Sequence, residues 1–279
     1  MSIERDSREI LGREVSLLRA APGLSAGGGP ALLFLHGVPT NSALWLPVLG
    51  RLEGVCAVAP DLPGFGASDT PHNPSISAYH RFTSELARVE GLRDLVLVGH
   101  DLGGLYALTY ALAHPHRLRA LVLLNTTIYP DPMVALALVP LLAPGFGETY
   151  SWLAGSQRYR ELVVRGLATM YPRETPSDVL RELTAPYGQT SSWLSLVRAF
   201  RGLNPLRVLG WKRRMAGLEL PVLILWGEGD PYFPPSVPER MQRDLPDSRL
   251  EYVPNGGHFL MLKRPRETTE AMLRFLERV

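Results

Sequence analysis

The chain has 279 residues, 46% of them apolar and 20% charged, enough for one large core and too ordered in composition for a disordered segment. The net charge is +2 and Lys212 and Lys263 are the only lysines. With no basic block or stripe, the sequence argues against a nucleic-acid partner.

The opening residues, MSIERDSREILG, are charged and lack the apolar run of a signal peptide. Cys56, in VCAVAP, is the single cysteine, so no internal disulfide can form, and it reads as a small core residue. The segment MVALALVPLLAPG is too short to span a bilayer and is broken by Pro140 and Pro144. A cytoplasmic protein with no membrane partner is expected.

Gly27-Gly28-Gly29 reads as a turn before a strand. Compact apolar runs follow at 31–37 (ALLFLHG), 55–60 (VCAVAP), 95–99 (LVLVG), 118–125 (LRALVLLN) and 221–227 (PVLILWG). Such continuous runs fit strands covered on both faces. Helical patterns lie between or after them, at YHRFTSELARVE, GLYALTYALAHP and the tail TTEAMLRFLERV. Alternation of this kind predicts a mostly parallel central sheet flanked by helices.

Between Asn125 and Pro221 the rhythm breaks. The patterns SWLAGSQRYRELVVRGLATMY and SSWLSLVRAF are helical, and no core strand is evident. This interval reads as an inserted helical lid over the sheet's C-terminal edge, where open α/β sheets bind ligands. The expected organisation is a core of residues 1–128 and 217–279, with a helical cap of 129–216 inserted between core strands.

Four pieces fall at strand ends. His36-Gly37-Val38-Pro39 follows the first core strand. Asp101 occupies the nucleophile position of the turn VGHDLGG. Asp230 lies in WGEGDPYF, and His258 in PNGGHFLML. Each alone has a structural explanation, as a turn, a helix cap or a packed histidine. Their joint order, nucleophile then acid then histidine, is that of the α/β-hydrolase triad. Gly99, Gly103 and Gly104 fit the tight strand–turn–helix, where side chains would crowd the backbone.

HGVPTNSALW (36–45), DLPGFGASD (61–69), GHDLGG (99–104), the WGEGD turn and the GGH turn together resemble α/β-hydrolases with an aspartate nucleophile. That branch holds epoxide hydrolases and haloalkane dehalogenases, and the resemblance covers the chain beyond about the first ten residues. It implies Asp101 as nucleophile, His258 as base and Asp230 as its acid partner, with no cofactor and no metal. The backbone N–H groups of Val38 and Leu102 would form the oxyanion hole, with Pro39 shaping the Val38 turn. Glu228 and Asp131 are rivals for the acid role, the latter because some members keep their acid beyond the preceding strand.

A carboxylate nucleophile is charged without help, its ordinary pKa being about 3.9. Attack on an ester carbonyl would give a reactive anhydride, whereas attack on a saturated carbon with a leaving group gives a stable alkyl ester. Hydrolysis of a small apolar organic epoxide is the expected reaction, with haloalkane dehalogenation the alternative and a non-catalytic protein that keeps the hydrolase frame as a ligand pocket a third reading. Dehalogenases place a Trp after the nucleophile and many an Asn after the His-Gly pair; here Leu102 and Val38 stand there, with no side-chain donor. An epoxide instead needs a proton donor. The lid offers Tyr150, Tyr159, Tyr171 and Tyr187, with Tyr150 and Tyr187 favoured because each neighbours a lid turn. Trp152 and Trp193 are the lid's indole donors for a halide. His100 is expected to pack against a neighbouring strand, and His114 and His116 to cap a helix. The pattern leaves monomer and homodimer open.

Overall fold

The computed structural model describes residues 2–21, 29–71, 74–129, 145, 149, 156–202 and 211–279. Among these, eight strands form one sheet: β1 (Ile3–Glu9), β2 (Glu14–Ala20), β3 (Leu32–Leu35), β4 (Ala57–Pro60), β5 (Leu95–His100), β6 (Leu118–Leu124), β7 (Val222–Gly227) and β8 (Ser248–Val253). Their order across the sheet is β1-β2-β4-β3-β5-β6-β7-β8. β2 runs antiparallel to both β1 and β4. All pairings from β4 to β8 are parallel.

The five apolar runs all become strands, and SRLEYV forms β8. β1 and β2 are additional to that reading. β1, IERDSRE, is polar and lies at the sheet edge, with its residues exposed or half-exposed. An edge strand buries too little to write an apolar run into its sequence. β2 buries Val15, Leu17, Leu18 and Ala20, together with the polar Ser16.

Alternate residues of each central strand feed two cores. Leu95 and Leu97 of β5, Leu121 and Leu123 of β6, and Ile224 and Trp226 of β7 lie in one cluster with Leu86, Tyr106 and Leu108. Val96 and Val98, Val122 and Leu124, and Leu223 and Leu225 lie in the other, with Trp45, Met272 and Phe275. Helices α2 (Ile76–Val89) and α3 (Leu102–Ala113) thus cover one face. Helices α1 (Leu46–Leu49), α9 (Leu260–Lys263) and α10 (Pro265–Leu276) cover the other. Cys56 is buried, as a core residue should be.

Between β6 and β7 the described elements are helical: α4 (Gln157–Ala168), α5 (Ser177–Thr184), α6 (Thr190–Arg201) and α7 (Trp211–Ala216). α8 (Ser236–Asp244) follows β7. Among the described residues no helix is long and apolar enough to cross a membrane.

The parallel register carries the consequence for function. Leu35 is level with Gly99, His100 with Leu124, Leu124 with Leu225, and Gly227 with Val253. The loops after β3, β5, β6, β7 and β8 therefore open at one edge, and side chains far apart in sequence meet there.

Candidate active site

The turn after β5 sets the centre. Asp101 adopts φ +49° and ψ −121°, a backbone state that L-residues avoid and that costs on the order of 1–3 kcal/mol. Neighbours hold it there. Its carbonyl accepts the N–H groups of Gly104 (3.0 Å) and Leu105 (3.2 Å) and the Thr126 hydroxyl (2.6 Å). Glycine is required around the turn for space. A Cβ on Gly103 would sit 2.2 Å from the Leu35 carbonyl oxygen, and one on Gly37 would sit 2.5 Å from Asp101 Cβ and Oδ2. A Cβ on Gly99 would meet the Gly103 oxygen at 2.6 Å.

The side chain of Asp101 is gripped from the β3 loop. The Val38 N–H donates to Asp101 Oδ2 at 2.9 Å, and the Leu102 N–H also reaches the carboxyl. Desolvation pushes the Asp101 carboxyl above its ordinary value, and the His258 charge and these two N–H groups only partly offset it.

His36 fixes the Val38 loop rather than entering the chemistry. It is fully buried; Nδ1 donates to the Gly37 carbonyl at 2.8 Å, and Nε2 accepts the Leu62 N–H at 2.8 Å. Burial lowers its pKa to about 4, against the opposing pull of Asp61, so the ring is neutral. The peptide bond between Val38 and Pro39 is cis. Asp61 in turn ties the DLPGFGASD loop, accepting the N–H groups of Ser42 (2.8 Å) and Ala67 (2.9 Å).

His258 and Asp230 form the second half. His258 Nδ1 donates to Asp230 Oδ2 at 2.9 Å, and both side chains are at most 5% exposed. Asp230 Oδ2 also accepts Asn125 Nδ2 at 2.5 Å, while Oδ1 accepts the N–H groups of Tyr232 (2.8 Å) and Phe233 (3.2 Å). Burial acts to raise the Asp230 carboxyl, but the His258 bond and charge, Asn125 and the Tyr232 N–H outweigh it and hold it below the ordinary range. With Nδ1 committed to Asp230, His258 has Nε2 left for chemistry. Glu228 is exposed and makes no such contact with His258. Asp131 lies outside the described residues.

Three residues were not picked from the sequence. Asn125, read only as a strand end, is fully buried and bridges two loops, its Oδ1 accepting the Gly227 N–H at 2.8 Å. Its positive φ of 33° at a strand end was the available signal once the fold is known. Tyr232 sets its ring edge-on to His258, with centroids 4.8 Å apart at 75°. His100, expected to pack against a neighbouring strand, is fully buried and in addition donates from Nε2 to the His258 carbonyl at 3.0 Å, with ring centroids 4.7 Å apart.

The lid residues divide. Tyr150 and Trp152 lie outside the described residues. Trp193 is buried and donates its indole N–H to the Tyr187 carbonyl at 3.0 Å. An indole has one N–H, so Trp193 in this arrangement holds its own helix entry rather than a leaving group. The Tyr187 ring is buried against Trp193. Both belong to the apolar cluster that contains Leu102, Phe65, Ile128 and Leu196. Tyr171 donates its hydroxyl to the Pro39 carbonyl at 2.7 Å. His114 stands at the C-terminal end of α3, as expected. Among the described residues no cluster of His, Cys, Asp and Glu could hold a metal. A separate cavity of about 630 Å³ lies between the 61–70 loop and residues 182–195, and no triad member lines it.

A model of the alpha/beta hydrolase fold family matches residues 30–265. The chain belongs to the alpha/beta hydrolase family. A 2-(acetamidomethylene)succinate hydrolase from Mesorhizobium japonicum is 27% identical over 291 residues, covering 99% of each chain. Epoxide hydrolase 3 from Xenopus tropicalis is 27% identical over 273 residues, covering 89% of this chain and 71% of that one. A solved haloalkane dehalogenase from Agrobacterium tumefaciens C58 superposes with a TM-score of 0.81 at 20% identity, covering 99% and 97% of the two chains. That last likeness is one of fold. In this chain the strained turn after β5, the bond from the β3 loop and the acid–histidine pair meet at one edge of that fold's sheet.

Proposed function

We propose that this hydrolase opens epoxides through an alkyl ester on Asp101. The observation that carries the reading is the residue type at the strained turn: a carboxylate, not a hydroxyl, held by the Val38 N–H at 2.9 Å. A serine there needs a base to become a nucleophile, whereas a carboxylate arrives charged. Its chemistry fits a saturated carbon bearing a leaving group.

In the first step an Asp101 oxygen bonds to a ring carbon of the epoxide and the C–O bond breaks toward oxygen. In the second, His258 takes a proton from water, which adds to the ester carbonyl. Asp230 keeps Nδ1 of His258 as donor and stabilises the imidazolium. The N–H groups of Val38 and Leu102 receive the oxyanion, and its collapse returns the carboxylate and a diol.

Residues 129–216 act as a cap on a core of 1–128 and 217–279. The support is the packing of Tyr187, Trp193 and Leu196 into the cluster of Leu102, and the Tyr171 bond to Pro39. An apolar ceiling over the nucleophile suits a small apolar substrate. Dehalogenation is less well served. The side chains of Val38 and Leu102 offer no donor to a departing halide, and the Trp193 N–H is already spent.

Replacing His258 by Gln should stop the second step and trap the first. Incubated with a panel of epoxides and haloalkanes, His258→Gln is expected to gain the mass of an epoxide on the peptide carrying Asp101. Adducts from haloalkanes alone would move the reading to dehalogenation. No adduct on Asp101 from any substrate that the wild type turns over would reject the covalent mechanism.

A further inference from the structure

We infer that Tyr232, on the loop after β7 and outside the lid, is the catalytic acid that protonates the epoxide oxygen as the ring opens. This inference rests on the epoxide reading above and names the proton donor that reading lacks.

Tyr232 is built into the triad from two sides. Its backbone N–H donates to Asp230 Oδ1 at 2.8 Å, which fixes the start of the side chain. Its ring stands edge-on to the His258 imidazole, with centroids 4.8 Å apart at 75°. Two residues past the acid, it thus stands beside the base. Burial raises the pKa of its phenol, and the charges of Asp230 and Asp101 add to that rise. The hydroxyl therefore stays protonated at neutral pH, as a donor must.

The rival is Tyr187 of the lid. Its ring is buried against Trp193. Its residue is 2% exposed against 43% for Tyr232. A phenolate left on Tyr187 would be buried in an apolar cluster, which is costly. One on Tyr232 recovers its proton from solvent.

The step balances. The Asp101 oxygen forms the new C–O bond, the ring C–O bond breaks, and its electron pair stays on the ring oxygen. The Tyr232 proton passes to that oxygen, giving a neutral hydroxyalkyl ester and a phenolate. Hydrolysis of the ester restores the Asp101 carboxylate and releases one proton, which returns to the phenolate through water.

The test uses the full chain carrying His258→Gln, with styrene oxide as probe and Asp101 alkylation followed by intact mass over pH. With Tyr232 present the rate should fall at alkaline pH as the phenol ionises. Adding Tyr232→Phe should slow alkylation about a hundredfold and remove that alkaline fall. Tyr232→3,5-difluorotyrosine keeps the ring and so the fold, and should move the fall to lower pH. Tyr187→Phe should keep it in place. Unchanged rate and profile in Tyr232→Phe would overturn the assignment, as would loss of the alkaline fall in Tyr187→Phe instead. If styrene oxide and the wider epoxide panel leave Asp101 unmodified even with Tyr232 intact, the epoxide reading fails, and the assignment with it.

Discussion

A carboxylate at φ +49°, stripped of much of its water, carries two penalties, backbone strain and desolvation. Because the folded pKa of Asp101 is raised, its ionised form opposes folding at neutral pH, and the opposition fades as pH falls and the group takes up a proton. Asp101→Asn should therefore abolish turnover while raising stability by about 1 kcal/mol, or about 2 °C in Tm for a chain of this size, as calorimetry can read. A loss of stability would mean that the carboxylate is needed for the turn itself. The same shift places the acid limb of alkylation above the ordinary Asp value of about 3.9, and a limb at or below that value would contradict it. Asp230 runs the other way. Its folded pKa is depressed, so its contribution to stability is present above the unfolded value and lost as pH falls through the folded one. The two aspartates differ because four donors converge on Asp230, whereas Asp101 has backbone donors and an uncovered demand for charge.

At the level of elements, β5, its turn and α3 act as one rigid piece against β3. The contact is backbone to backbone, so it cannot yield by a side-chain rotation. Gly103→Ala should cost about 3 kcal/mol or more, because its Cβ would lie 2.2 Å from the Leu35 oxygen. Urea unfolding would measure it, and a cost under about 1 kcal/mol would show that α3 can slide away from β3. The central strands were legible in the sequence because burial on both faces forces continuous apolar runs such as LVLVG and PVLILWG. β1 was not, because IERDSRE serves a sheet edge and buries almost nothing. The helices α4 and α6 were legible from apolar spacing, whereas the gathering of Leu167, Trp193 and Leu196 into the cluster of Leu102 was not, because apolar spacing does not say what a helix packs on.

For the whole molecule, the order Asp101, Asp230, His258 was readable because the chain visits one sheet edge in a fixed sequence. The pairing of His258 with Asp230 follows from the parallel register of β7 and β8. Asn125 and Tyr232 were not readable. Their residue types are common at strand ends and turns, and only the register brings Asn125 to Asp230 across 105 positions. The lid tyrosines stand out in the sequence as possible donors, whereas Tyr232, whose ring meets His258, lies in the acid's own turn. Everything chemical in this account requires that Asp101 itself gives an oxygen atom to the product. Single-turnover reaction of excess enzyme with an epoxide in oxygen-18 water decides it. The first diol should lack the heavy isotope and the Asp101 carboxylate should acquire it; a labelled first diol with an unlabelled Asp101 would rule out the covalent ester.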